Sequence, residues 1–241
     1  MTLDAQLLEE IRAERLVAAA TVLAGPQPGA KMLIWQDRSA GTLGDAAVDG
    51  EVVAVARAAL ANQQAERFSL LRGEVTWDLF VDVHAPPPKL VIVGAVHIAI
   101  PLVTFGKALG FRTVVVDARR AFATPERFAH ADELRIGWPG DIVRELNLNE
   151  TTCFVTLTHD EKLDNPALLV ALNSPVRYIG ALGSRRTHAA RVAALKADGA
   201  TDPQIARIHA PIGLDLGGRR PEEIAVAIIA QIVQVVNTPE M

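Results

Sequence analysis

Hydrophobic spacing divides the chain into two stretches of different rhythm. In the first, Leu3, Leu7, Leu8 and Ile11 recur at helical spacing and predict an amphipathic helix over residues 3–15. Residues 16–23 and 30–35 read as strands separated by the turn formers Gly25-Pro26-Gln27-Pro28-Gly29, and residues 37–44 carry turn chemistry. Residues 46–62, rich in Ala, Val and Leu and free of proline, predict a helix, and 67–71 and 76–83 predict two further strands. Pro86-Pro87-Pro88 can neither join a sheet ladder nor continue a helix, so it reads as a stiff connector. The expected domains are therefore residues 1–85, a small α+β unit, and residues 86–241.

Beyond the prolines, apolar runs near 89–94, 112–117, 133–136, 152–158 and 176–180 alternate with helical segments near 98–109, 139–147, 163–172 and 184–198. This alternation predicts an α/β fold, a Rossmann-like doubly wound parallel sheet with helices on both faces. The last segment, 221–236, opens on Pro221 followed by Glu222 and Glu223, which is helix-start chemistry.

Composition narrows the function classes. Half of the 241 residues are apolar, and Ala, Val, Leu and Ile outweigh the aromatics, as alternating strands and helices require. A net charge of −4, with Lys and Arg dispersed apart from the pairs at 119–120, 185–186 and 219–220, argues against a nucleic-acid surface. No apolar run reaches the ~20 residues that span a bilayer, and the acidic start of the chain lacks signal chemistry, so no membrane partner and a cytoplasmic location are expected. Cys153 is the only cysteine, which excludes an intrachain disulfide and a multi-cysteine metal site. Set in an apolar strand, it reads as a buried inert thiol. No G-x-S-x-G, P-loop or zinc-protease motif occurs.

Candidate chemistry gathers where the predicted strands end. A β-branched run ending in Gly94 leads into a helix, and the next run ends about twenty residues later in Asp117, the outline of a dinucleotide-fold opening unit. Val96 stands where a second glycine normally lets a pyrophosphate reach bare backbone. The turn is thus either structural or an anion site displaced toward the helix start, with His97 as a hydrogen-bonding partner. Asp117 with Arg119 and Arg120 suits either a ribose and phosphate or a solvated ion-paired loop. Thr158, His159 and Asp160 follow an apolar strand, where open sheets bind ligands, and helix capping by Asp160 or Asp164 is the competing role. Gly183, Ser184, Arg185 and Arg186 open a helix with amide and guanidinium donors that favour an anion. The glycine-rich segment 211–220, which carries Asp215, reads as a flap over the ligand or as a flexible approach to the last helix.

In order along the chain, VIVGAVHIAIPL, VVVDAR, TLTHD, YIGALGSRR and PIGLDLGGRRPEEIAVAIIAQI resemble the motif series of the XdhC/CoxI family, accessory proteins of molybdenum hydroxylases. The similarity runs through the second domain and, more weakly, over residues 16–60. It implies a chaperone rather than a catalyst, binding the molybdenum cofactor as molybdopterin or its dinucleotide form. It further implies that the chain protects the cofactor, supports its sulfuration and passes it to an apo molybdenum hydroxylase such as xanthine dehydrogenase or carbon monoxide dehydrogenase. A cysteine desulfurase is a further implied partner. The implied cofactor contacts are Gly94, His97, Asp117, Arg119, Thr158, His159, Asp160, Gly183, Ser184, Arg185 and Asp215. Two readings stay open beside it: an NAD(P)-dependent oxidoreductase on the same fold with His159 as proton donor, and a non-binding assembly or regulatory paralogue. Two departures bear on the choice. Ala47 occupies the cysteine position of a GSIGGGCVE-like segment, and a GSSPR-like stretch is replaced by residues 24–29. No metal site is assigned, and a homodimer is the usual assembly for such chains.

Overall fold

The structure, a computed structural model, describes residues 2–238, which form two compact units, 2–86 and 87–238. The first unit runs α1 (Leu3–Arg12), β1 (Val17–Ala24), β2 (Lys31–Ile34), β3 (Ser39–Gly41), α2 (Ala46–Asn62), β4 (Glu66–Arg72) and β5 (Val75–His84). Its strands make an antiparallel sheet in the order β3-β2-β1-β5-β4. Alternation sorts the two faces: Ala18, Ala20 and Val22 pack with Val48, Val52, Ala56 and Leu60 of α2, while Val17 and Ala19 meet Leu3 and Leu7 of α1. Asp45 caps α2 by accepting the amides of Ala47 and Val48.

Two expectations change here. Segment 37–44 contains the edge strand β3, whose three residues are too few to show an alternation. In α1, Leu8 and Ile11 stay exposed, and of the apolar positions only Leu3 and Leu7 turn inward, beside buried Glu10, which pairs with Arg15 at 2.5 Å. The apolar stripe is therefore narrower than the sequence spacing predicts.

The second unit runs β6 (Lys89–Val93), α3 (Ala99–Ala108), β7 (Arg112–Asp117), α4 (Pro125–Phe128), β8 (Glu133–Ile136), α5 (Pro139–Glu145), β9 (Thr152–Thr156), α6 (Glu161–Leu172), β10 (Tyr178–Ala181), α7 (Arg185–Ala197), α8 (Asp202–Ala206), β11 (Ile208–His209) and α9 (Pro221–Asn237). Its sheet is parallel throughout, in the order β11-β10-β9-β6-β7-β8. Chain order runs outward in both directions from β6 and β9, so the topological switch point lies between them.

Leu90, Ile92, Val115 and Val155 pack with α3 and α9 on one face, and Val91, Val93, Val116 and Phe154 with α5, α6 and α7 on the other. Burial on both faces explains the unbroken apolar runs of these strands. The fold is the α/β, Rossmann-like doubly wound sheet with a smaller N-terminal unit that the patterning predicts. The short elements α4, α8 and β11 escape sequence reading because they hold at most five residues, little more than one turn or one pleat. β9 stops at Thr156 and not at 158, which leaves residues 157–160 as a loop at the switch point.

Candidate functional site at the carboxyl edge of the parallel sheet

The loops after β6, β7, β9 and β10 converge at the switch-point end of the sheet. Gly94 leaves β6 with φ of 112°, and a Cβ there would stand 2.8 Å from Thr158 Cγ2 and 3.2 Å from the Thr158 amide nitrogen. Only a residue without a side chain lets the β6 and β9 loops touch in this way. Val96 is half-buried against the α3 and α9 core. No side chain caps α3, but its start offers little: the Ala99 amide donates to the Val96 carbonyl at 3.0 Å, Pro101 has no N–H and the Leu102 amide donates to the Ile98 carbonyl, which leaves the Ile100 amide without an acceptor in the helix.

Asp117 is fully buried at the end of β7. Its carboxylate accepts the Ala95 amide at 2.8 Å, the Arg119 amide at 2.9 Å, and Arg119 Nε and Nη2 at 2.9 and 2.8 Å. Burial acts to raise its pKa, but the donors from Arg119 and the two amides outweigh that and hold the carboxyl below its ordinary value. Both oxygens are engaged, so Asp117 ties the Gly94-Ala95 turn to Arg119 and offers no free acceptor to a ribose. The Arg119 guanidinium lies 4.4 Å over the Phe122 ring and feels the charges of Asp160 and Asp164 as well as that of Asp117.

Thr158 Oγ1 donates to Asp164 Oδ1 at 2.7 Å and accepts the Asp160 amide at 3.0 Å, which fixes the loop after β9. Within that loop His159 is exposed with φ of 61°, an uncommon conformation for a residue with a side chain. Asp160 caps α6 through the Lys162 amide. On the β10 side, Ser184 caps α7 by accepting the Thr187 amide at 3.1 Å, and Arg185 is exposed beside it.

Beneath these loops lies a buried pair that sequence reasoning did not assign to the site. Asp164 on α6 and Arg191 on α7 are 0% and 1% exposed, with Arg191 Nη2 3.6 Å from Asp164 Oδ2 and 3.0 Å from the Leu182 carbonyl. Burial pushes the Asp164 pKa up to about 6 against the pull of Thr158 and Arg191, and burial lowers that of Arg191. Arg191 Nε and Nη1, Asp164 Oδ2 and Thr156 Oγ1 have no hydrogen-bond partner in the protein. The available signal for Arg191 was its place one turn before Leu195, the other buried residue of α7. The polar residues around it make the helix read as solvated.

Asp215 is exposed on the segment after β11. That segment is pinned to α9 by bonds from the Leu214 amide to the Ala227 carbonyl at 3.0 Å and from the Gly213 amide to Gln231 Oε1 at 2.8 Å. Beside it opens a cavity of about 390 Å³ lined by Leu216, Gly217, Gly218, Glu223 and Val226. The structure thus joins Gly94, Asp117, Arg119, Thr158 and Asp160 in one network, with Gly183 reached through Arg191. His97, His159, Arg185 and Asp215 are exposed on separate segments.

Neither unit presents an exposed thiol. Cys153 is buried in β9 and its pKa is pushed up to about 12 by desolvation. Ala47 is exposed in the first turn of α2, a place where a helix start would activate a cysteine but a methyl group does nothing. Gln27 reaches this segment, since a Cβ on Gly44 would stand 2.5 Å from Gln27 Cδ. Among the described residues no group of three or more His, Cys, Asp or Glu side chains could hold a metal ion, and no helix is long and apolar enough to cross a membrane.

Comparison with known proteins agrees with this architecture. The chain is 29% identical over 233 residues to the uncharacterized protein YqeB of Escherichia coli (strain K12), covering 88% of this chain and 41% of that protein. It is 31% identical over 159 residues to a probable xanthine dehydrogenase subunit of Bacillus subtilis (strain 168), covering 66% and 46%. It is also 31% identical over 88 residues to the molybdenum cofactor insertion chaperone PaoD of Escherichia coli (strain K12), covering 36% and 28%. The chain spans less than half the length of these curated relatives. A crystal structure of a xanthine dehydrogenase from Bacillus halodurans shares the fold, with a TM-score of 0.56 and 20% identity over 100% of this chain and 97% of that one. Residues 90–232 match the model of the XdhC Rossmann domain and residues 10–72 that of the XdhC and CoxI family, so the chain belongs to the XdhC and CoxI family.

Proposed function

We propose that this chain is an accessory protein that takes molybdenum cofactor as its cargo, holds it by the phosphate end at the carboxyl edge of the second unit's sheet, and delivers it to an apo molybdenum hydroxylase. The observation that carries the reading is the switch point itself. There a side-chain-free turn at Gly94, the Ile100 amide at the start of α3 and the partnerless nitrogens of buried Arg191 combine, a set of donors suited to an anionic tail. Relatives named as a cofactor insertion chaperone and as part of a probable xanthine dehydrogenase support the same cargo.

Asp117 speaks against a nicotinamide dinucleotide as the resident ligand, because its oxygens already serve Ala95 and Arg119. With Ala47 in place of a cysteine and the Cys153 thiol inert, sulfur delivery in this reading falls to a partner such as a cysteine desulfurase. This chain then holds and shields the cargo in the cytoplasm.

Thermal unfolding with molybdopterin, NAD+ and NADP+ added separately tests the proposal. The pterin should stabilise the protein by about 2.7 kcal/mol at roughly 100 times its Kd, and the loaded protein should activate an apo hydroxylase better than free pterin does. Stabilisation by a nicotinamide nucleotide with measurable turnover, and none by the pterin, overturns it.

A further inference from the structure

We propose that Arg191 is a buried anion receptor, and that a phosphate or pyrophosphate group docks at the turn between β10 and α7, over Gly183. The inference rests on the proposed function's placement of an anionic ligand at this sheet edge, where Arg191 is among the donors, and deepens it by assigning the receptor and the turn over which the phosphate docks.

A guanidinium carries five N–H donors in a fixed plane. Arg191 spends Nη2 on the Leu182 carbonyl, while Nε and Nη1 have no partner although the residue is 1% exposed. Leaving charged donors unmet inside a protein costs more than leaving them in water, so their persistence points to an acceptor that arrives from outside. Asp164 is not that acceptor. It stands 3.6 Å away, beyond the reach of a charge-assisted bond, its Oδ1 is taken by Thr158, and its Oδ2 is itself without a partner. Asp164 therefore faces the guanidinium as a nearby charge and leaves Nε and Nη1 buried without an acceptor.

The route to Arg191 passes Gly183. This residue has φ of 148°, and its missing Cβ would stand 3.7 Å from Arg191 Nη1, so the turn lies directly over the free nitrogen. From the other side comes the start of α7, a helix of 13 residues whose Ser184 cap satisfies the Thr187 amide. The amides of Arg185 and Arg186 have no acceptor within the helix, and their exposed side chains add positive charge. An anion at the Gly183 turn would meet helix-start amides above and the Arg191 guanidinium below.

Calorimetric titration of the full chain with inorganic pyrophosphate is the test, run on wild type, Arg191→Met and Gly183→Ala. Gly183→Ala closes the turn against Thr187 and Arg191 Nη1 while keeping the guanidinium, so it decides the matter even where Arg191→Met fails to fold by circular dichroism. Each folded variant should bind at least about tenfold more weakly. Equal affinity in wild type and the folded variants, or no binding by wild type, overturns the inference. The same proteins titrated with molybdopterin and with NAD+ identify the carrier of the phosphate. Arg191-dependent pyrophosphate binding without pterin binding would sustain this site and remove the chaperone reading, and pterin binding indifferent to both variants would do the reverse.

Discussion

Asp117 and Asp164 end up on one sheet edge with opposite titration behaviour. Asp117, ringed by donors, has a depressed pKa, so its contribution to stability is present above the unfolded value near ~4 and is lost as pH falls through its lower folded value. Asp164 is the reverse, because burial raises it to about 6 against the Thr158 hydroxyl and a loose pair with Arg191. Between about 4 and about 6 the folded chain therefore holds a proton at Asp164 that the unfolded chain has released, and stability falls as pH rises through that window, by on the order of 3 kcal/mol. Urea unfolding at pH 4 to 7 should show this descent in wild type and a flatter profile in Asp164→Asn. Parallel profiles would mean that Asp164 titrates normally. At this scale Asp117 and Thr158 were legible because each ends or follows an apolar strand. Arg191 was not, since its burial comes from α6 and β10 packing against α7 and leaves no mark in its own neighbourhood of sequence.

The elements were read most securely where local chemistry and periodicity agree. The helix Ala46–Asn62 begins after the Asp45 cap and ends at Gln63 in the left-handed conformation, so both limits are written in the residues beside it. β11 has no such mark and exists through its pairing with β10, Ile179 to Ile208 and Gly180 to His209. The contact between the β6 and β9 loops also belongs to this scale. Gly94→Ala should cost about 1 to 3 kcal/mol by combining a positive φ with a Cβ driven into Thr158, and it should weaken pyrophosphate binding by separating the two loops. Chemical denaturation together with titration checks both effects, and a variant as stable as wild type would show that the loops are free to part.

Each unit of the molecule carries its own core. α1 and α2 cover the antiparallel sheet, and the two clusters flanking the parallel sheet draw only on residues after Pro87. A chain of residues 87–241 should accordingly unfold cooperatively and bind pyrophosphate as the full chain does, measured by circular dichroism and calorimetry. Loss of folding would show that the second unit does not stand alone, and loss of binding by a folded fragment would show that residues 87–241 do not suffice for the site. Residue spacing alone determined the alternation of strands and helices, the parallel class of the second sheet and the positions of the candidate motifs, because pleat alternation, helical periodicity and capping act within a few residues. Which motifs meet was decided only in three dimensions. The reversal of strand order between β6 and β9 brings Gly94 against Thr158, and the packing of α6 and α7 on one sheet face strips water from Asp164 and Arg191 together. Desolvation of that kind depends on residues distant in the chain, and no local pattern encodes it.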